Sequence, residues 1–211
     1  DAEYEKVGST HVATDAEMVK RIRTEYEESK AAGEDVVWFD QGEMRQQVNS
    51  PTYLAGVWHR DGLDGVVHPA KLCWGLKKTI LSLGVRIFED TPMHDVTPDG
   101  DGMRTICKGG NIRSDKVLMA TNAYRSPLSQ IRKSIIPVWD YQIATEPLNE
   151  AQLDSIGWGK SRLALSNAAN MFHYYRITKD NRITWGGGGA VCYYYGSRTD
   201  QGVADDMDRF K

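Results

Sequence analysis

Clustered basic residues are missing from this chain. Its 26 Lys and Arg stand against 29 Asp and Glu, a formal net charge of −3, and no basic stripe offers a surface for nucleic acid or an anionic membrane. Cysteine is scarce: Cys73, Cys107 and Cys192 are widely spaced and form no C-x-x-C. That argues against a disulfide scaffold and is expected of reduced thiols in a cytoplasm. No apolar run is long enough to span a bilayer, and no secretory signal stands at the start. No G-x-G-x-x-G occurs. The four glycines Gly186 to Gly189 are not followed by Gly-Lys-Ser/Thr, so neither a dinucleotide fingerprint nor a phosphate loop is present. A Ser-His-Asp order, a nucleophile elbow and a placeable pair of carboxylates are also lacking, which leaves a hydrolase without support. His11, His59, His94 and His173 show no ligand spacing with one another or with the cysteines, and no metal is expected.

What is present is an alternation of helical and extended periods over 211 residues, enough for one large or two small domains. Residues 1–14 show no clear period. Thr14 with Glu17 three residues on reads as a capping box, opening a helix whose narrow apolar side is Met18, Ile22 and Tyr26 and which Gly33 ends. The charge-rich remainder of that stretch is a solvated face. Val36 to Phe39 is a brief apolar run, 41–48 a short helix, and Tyr53 to Trp58 a strand.

The stretch 61–124 organises the rest. Gly62 and Gly65 punctuate a turn, and Pro69 fits a first helical position because its missing N–H would be unpaired there. Leu72, Leu76, Ile80 and Leu83 recur at helical spacing, and Gly84 closes the helix. Val85 to Phe88 predicts a strand. Met93 to Thr97, the turn 98–102, Arg104 to Lys108 and the turn at 109–111 predict a β-meander. Val117 to Met119 predicts a strand buried on both faces. Further on, 126–133 reads as a short helix and 135–145 as a long extended segment. Asn149 caps a helix to Ile156. Strands follow at 163–165, 171–177 and 182–185, with a hairpin loop at 178–181, and 199–211 is helical in tendency. Trp139, Tyr141, Tyr174, Tyr175, Arg176 and Trp185 lie on strands able to share one face, either as an aromatic core or as a pocket wall with one guanidinium.

The order D-G-L-D-G-V-V-H-P-A-K-L, helix, strand, meander and K-V-L-M-A-T-N-A-Y resembles the central part of the D-amino-acid-oxidase-like flavin-dependent oxidoreductases. Within them it is most similar to the glycine oxidase and γ-glutamylputrescine oxidoreductase branches. Y-Y-R-I-T-K-D-N-R-I-T-W-G-G at 174–187 is similar to a hairpin of the same family. The resemblance implies an α+β chain: an antiparallel or mixed-sheet substrate-binding domain with helices, plus an incomplete part of an FAD-binding α/β domain. The expected division is 1–60 substrate side, 61–125 partial cofactor domain and 126–211 substrate side. The resemblance implies FAD as cofactor, with Val96, Ala120, Thr121 and Asn122 against it, and a small amine or amino acid as substrate. His68, Tyr141, Tyr175, Arg176 and Trp185 are the implied substrate residues. The catalytic residues stay unassigned.

Two family parts are absent from the sequence: a glycine-bearing strand-turn-helix, expected before Asp1, and a closing segment, expected after Lys211. The chain is therefore expected to bind flavin weakly or not at all, to be inactive alone, and to self-associate through exposed sheet edges. The competing reading is a non-enzymatic α+β module whose aromatic face holds a ligand or a partner.

Overall fold

Val12 and Ala13 are sequence neighbours, and both are fully buried. Adjacent residues of a strand point to opposite faces, so this strand is covered on both sides. It is β1 (Ser9–Ala13), which the sequence left without a period because Thr10 and His11 interrupt its apolar pattern. The computed structural model describes residues 2–60, 64–122, 124, 126–135, 138–140, 142–188 and 191–192. The chain forms two compact units, Asp1–Gly84 with Asp140–Ala190, and Val85–Trp139 with Val191–Lys211.

The first unit is built on a seven-stranded mixed sheet. Its strands are β1, β2 (Val36–Phe39), β3 (Ala55–His59), β8 (Gln142–Ala144), β9 (Leu165–Asn167), β10 (His173–Ile177) and β11 (Ile183–Gly187). They lie in the order β2-β3-β1-β9-β10-β11-β8. Only β1 and β9 pair in parallel; every other neighbouring pair is antiparallel.

Helix α1 (Ala16–Ala31) covers one face through Ile22, against Ala13, Ala55 and Val57. Its cap is Asp15 rather than Thr14: the Asp15 carboxylate accepts the Met18 N–H, while the Thr14 hydroxyl turns to the Met18 sulfur. The other face buries Val12, Phe39, Leu165, Tyr175 and Ile177 under Met44 of α2 (Gln41–Gln47), Trp158 and Leu163. Asp40 and Glu43 make the capping box of α2, and Asn149 and Gln152 that of α5 (Glu150–Ile156), as read from Asn149.

Helix α3 (Pro69–Ser82) starts on Pro69 and is followed by Gly84 at φ +84°, as expected. Its apolar stripe is not buried: Leu76 is 55% and Leu83 75% exposed, and Trp74 is 66% exposed. Periodicity identifies such a stripe but not what covers it.

The second unit carries the meander, β4 (Met93–Asp99), β5 (Gly102–Cys107) and β6 (Gly110–Ser114), in consecutive antiparallel order. A short antiparallel pair joins β7 (Val138–Trp139) to β12 (Val191–Cys192). Helix α4 (Ser129–Ser134) begins three residues later than expected. Two predicted strands are corrected. Residues 85–88 and 116–119 form no ladder, and Leu118 is 90% exposed. Apolar β-branched residues favour extended backbone, but a strand needs a hydrogen-bonding neighbour, and none lies beside either stretch among the described residues. The helical tendency of 199–211, the turn at Gly62, Gly189, Tyr141 and the Trp139 side chain lie outside the described residues.

Candidate functional site

The strand β10 divides the candidate residues between two faces. Tyr175 lies opposite Trp185 of β11, and their rings stack with centroids 4.0 Å apart and 6° between planes. Trp158 meets Tyr175 edge-on at 6.0 Å. The Tyr175 hydroxyl accepts from Tyr53 at 3.0 Å inside the core. Burial pushes both phenols up in pKa, Tyr175 further because Tyr53 lies beside it. Tyr174 and Arg176 point the other way, opposite Gly186 and Thr184. The expectation that Tyr174, Tyr175, Arg176 and Trp185 share one face is thus corrected. The strand period of two residues separates Tyr175 from both its neighbours.

On the second face Tyr174 donates to Asp140 Oδ2 at 2.5 Å, and Asp140 Oδ1 accepts the Gly187 N–H at 3.1 Å. That hydrogen bond raises the Tyr174 pKa. The glycine run is required by close approach here. A Cβ on Gly186 would sit 2.6 Å from the Tyr174 ring, and Gly187 adopts φ +91°.

Arg176 and His68 meet in one cavity of about 260 Å³, lined also by Glu3, Glu5, Thr178, Lys179, Asp180 and Arg182. The chain reaches it from three places. Residues Ala2 to Glu5 pair with Val66 to His68: Glu5 and Val66 exchange two hydrogen bonds at 2.9 Å, and the His68 N–H donates to Ala2 O at 2.8 Å. His68 caps α3, its Nδ1 accepting the Lys71 N–H at 3.4 Å. The β10–β11 hairpin supplies 176–182.

Each carboxylate of the cavity is engaged. Lys71 binds Glu3 and holds its carboxyl below the usual range. Arg162 grips Glu5 with two nitrogens at 3.0 and 3.2 Å. Thr178 and Arg182 hold Asp180, at 2.6 and 2.8 Å, and lower its pKa. Arg176 donates to Val67 O at 2.9 Å, and the Lys179 charge adds to that of Lys71 in lowering the Glu3 pKa. The charge left available to a ligand is positive, which suits a carboxylate. No motif marks Glu3, Glu5, Asp180 or Arg182 as lining residues. A K-D-N-R hairpin loop following Tyr-Arg was the one local signal.

In the second unit, Val96 is buried in β4 opposite Thr105, and its N–H is taken by Asp95 Oδ1 at 2.8 Å. Ala120 and Asn122 are exposed and Thr121 half-buried. Asn122 has φ +48°, and Thr121 O accepts the Tyr124 N–H at 3.0 Å. Small side chains at a tight turn leave room for a flat group against backbone.

The whole length agrees with one family. The profile described as FAD dependent oxidoreductase (DAO) matches residues 1–210. The chain belongs to the DAO family of FAD-dependent oxidoreductases. It is 30% identical over 190 residues to the probable oxidoreductase OrdL of Haemophilus influenzae, covering 87% of this chain and 43% of that protein. It is 25% identical to γ-glutamylputrescine oxidoreductase of Escherichia coli, covering 99% and 46%. The fold matches glycine oxidase from Geobacillus kaustophilus with a TM-score of 0.75 at 18% identity, over 92% of this chain and 50% of that one. The chain thus spans about half the length of the relatives it matches.

FAD is the cofactor of this family. The residues present fit part of it: Ala120 to Asn122 offer a small-residue turn for a flat ring. The pyrophosphate is not provided for, since the sequence contains no glycine fingerprint opening a helix.

Proposed function

We propose that this chain is the substrate-binding and central part of an FAD-dependent oxidoreductase that oxidises the C–N bond of an amine or amino acid. Its substrate side is the unit Asp1–Gly84 with Asp140–Ala190, which holds the cavity, and the unit Val85–Trp139 with Val191–Lys211 contributes to its cofactor side. The carrying observation is the cavity at His68 and Arg176, where Lys71, Arg162 and Arg182 pair with the three carboxylates and Arg176 donates to a neutral carbonyl. The names of its relatives, γ-glutamylputrescine oxidoreductase and glycine oxidase, agree with a substrate bearing both an amine and a carboxylate.

Arg176 binds the substrate carboxylate through its planar fork, fixed in direction by the Val67 carbonyl. His68 uses Nδ1 to accept from the Lys71 amide, so its neutral form carries a proton on Nε2, a donor. Tyr175 and Trp185 leave the sheet by the face opposite the cavity, so they act on the site by holding the β10–β11 register through their stack and not by contact with the ligand. Val96, Ala120, Thr121 and Asn122 would hold the cofactor. When bound, the flavin supplies the two-electron acceptor for the carbon bearing a neutral amine.

No helix among the described residues is long and apolar enough to cross a membrane. Cys73 and Cys107 are free thiols, which suits a cytoplasmic setting. The sheet edges unpaired among the described residues, at β2 and β8 and at β4 and β6, are where copies of the chain would pair.

The test compares two proteins. The 211-residue chain alone is expected to purify colourless and inactive. The protein extended to its relatives' full length is expected to be yellow and to lose its flavin colour anaerobically with one class among D-amino acids, glycine derivatives and polyamine conjugates. A stoichiometrically yellow chain would overturn the assignment of the missing pyrophosphate cradle. A yellow full-length protein bleached by no amine would overturn the C–N bond assignment, and a colourless, inactive one would favour the α+β binding module.

A further inference from the structure

His11, Glu25 and His59 are remote in sequence, and the fold brings their side chains to one spot. In the β1–β3 pair, Ser9 lies opposite His59 and His11 opposite Val57. The two imidazoles therefore leave the same face as diagonal neighbours. Helix α1 lies across that face through Ile22, and Glu25 follows one turn later. Its Oε1 stands 2.6 Å from His11 Nδ1 and 2.8 Å from His59 Nε2. The remaining nitrogen of His59, Nδ1, faces Glu34 Oε2 at 3.6 Å.

We propose that His11, Glu25 and His59 form a binding site for one divalent transition cation of the Zn2+ class, tying α1 to the sheet. Two imidazole nitrogens and one carboxylate oxygen make a recognised three-residue ligand set for zinc, with water in the fourth position. The donor atoms all lie within 4.8 Å of one another. Tetrahedral ligands about 2.0–2.1 Å from an ion stand about 3.3 Å apart. The hydrogen-bonded pairs must open by about 0.7 and 0.5 Å from their present 2.6 and 2.8 Å, which rotation of the Glu25 side chain supplies. The side chains of His11, Glu25 and His59 are 39%, 29% and 15% exposed, so an ion can enter and keep a water. A carboxylate on the distal nitrogen of a ligating histidine orients the ring and raises its basicity, and Glu34, 3.6 Å from His59 Nδ1, takes that part on a side-chain shift of about half an ångström. Imidazole donors disfavour calcium and magnesium, which take oxygen ligands.

Binding is an exchange without redox change. Each donor contributes one lone pair to the ion: the protons that His11 Nδ1 and His59 Nε2 direct at Glu25 leave those atoms, each neutral imidazole keeps one proton on its other nitrogen, and any excess proton goes to solvent. The ion would bridge three elements, α1, β1 and β3, on the face of Ala13 and Val57, away from the Tyr175–Trp185 face. Its role is structural and separate from amine oxidation. Sequence spacing cannot show it, because the two histidines and the glutamate meet only through strand register and helix packing.

The experiment titrates the chelator-stripped chain with Zn2+ against a chromophoric chelator, and with Co2+ by its visible absorption, at about pH 8, above the free imidazole range. One equivalent is expected, with visible Co2+ bands and a melting temperature raised by Zn2+. Glu25→Gln and His11→Gln should each weaken binding by at least about 100-fold, and Glu34→Gln by about 10-fold, with unchanged far-ultraviolet circular dichroism. Should the two ligand variants fail to fold, the exposed Glu34→Gln decides alone. Absence of binding, or Zn2+ binding of equal affinity in wild type and Glu34→Gln or Glu25→Gln, as the exposed thiol of Cys73 would give, overturns the proposal.

Discussion

Replacing Tyr175 with phenylalanine removes one oxygen atom from the core of the first unit and separates two roles for this residue. The Tyr175 side chain is buried, stacked on Trp185 and crossed by Trp158. Its hydroxyl accepts from Tyr53 at 3.0 Å. In Tyr175→Phe the ring contacts stay, and the buried Tyr53 hydroxyl loses its acceptor. An unsatisfied buried donor costs about 1–3 kcal/mol. For a chain of this size each kcal/mol moves the melting temperature by about 2–4 °C, so a loss of about 2 kcal/mol lowers it by roughly 4–8 °C. Tyr53→Phe strands the partner hydroxyl and should cost a similar amount. The double variant removes both polar groups and should be much milder than the sum, with a coupling of about 1–2 kcal/mol. Thermal melts of the four proteins close the cycle. Additive losses would refute the buried pair. A normal melt of Tyr175→Phe together with a raised KM in the full-length enzyme would place the hydroxyl on the substrate instead.

Four further outcomes can be measured. Burial raises the pKa of both Tyr53 and Tyr175, so the folded state keeps protons that the unfolded state releases near pH 10. Stability from this pair is fully present below about pH 10 and lost as pH rises beyond it; denaturant midpoints should fall there in wild type and less in Tyr53→Phe/Tyr175→Phe. Gly186→Ala drives a Cβ to 2.6 Å from a Tyr174 ring anchored on Asp140; it should cost about 1–3 kcal/mol by overpacking, and Gly186→Ala with Tyr174→Ala should recover most of it. Arg176→Gln in the full-length enzyme should raise KM for a carboxylate-bearing amine by about 10–100-fold, the worth of a lost charge-assisted hydrogen bond, with little change in melting. Arg162→Gln, which releases Glu5 from a bidentate pair, should act chiefly on melting.

Local chemistry was legible where it decides the local outcome. Pro69 and Gly84 bracket α3, Asn149 opens α5, and the turns at 98–102 and 109–111 shape the meander without help from distant residues. Reading failed where a distant partner decides. The apolar stripe of α3 is real yet exposed, and residues 85–88 and 116–119 have strand composition but no ladder. The cavity shows the same limit. Arg176 and His68 were singled out from the resemblance, but Glu3 and Glu5 reach them only because residues 2–5 pair with 66–68. The site at His11, Glu25 and His59 had one overlooked signal: Glu25 is a carboxylate one turn beyond Ile22, beside the apolar line of Met18, Ile22 and Tyr26.

The placement of Arg176 follows from the core rather than from any contact of its own. Tyr175 and Ile177 are both nearly fully buried on one face of β10, among Val12, Leu165 and Trp158. With a side-chain period of two, the residue between them must leave by the other face. On that face the opposing positions are Thr184 and Gly186, small enough to admit a guanidinium and the Tyr174 ring. A slip of β10 by one residue would put Arg176 into the aromatic core, an unpaired buried charge, and expose Tyr175 and Ile177. The apolar residues that hold the sheet together therefore also fix the direction of the cavity's available cation, and a substitution that loosens the Tyr175–Trp185 stack should disturb ligand binding without touching the ligand.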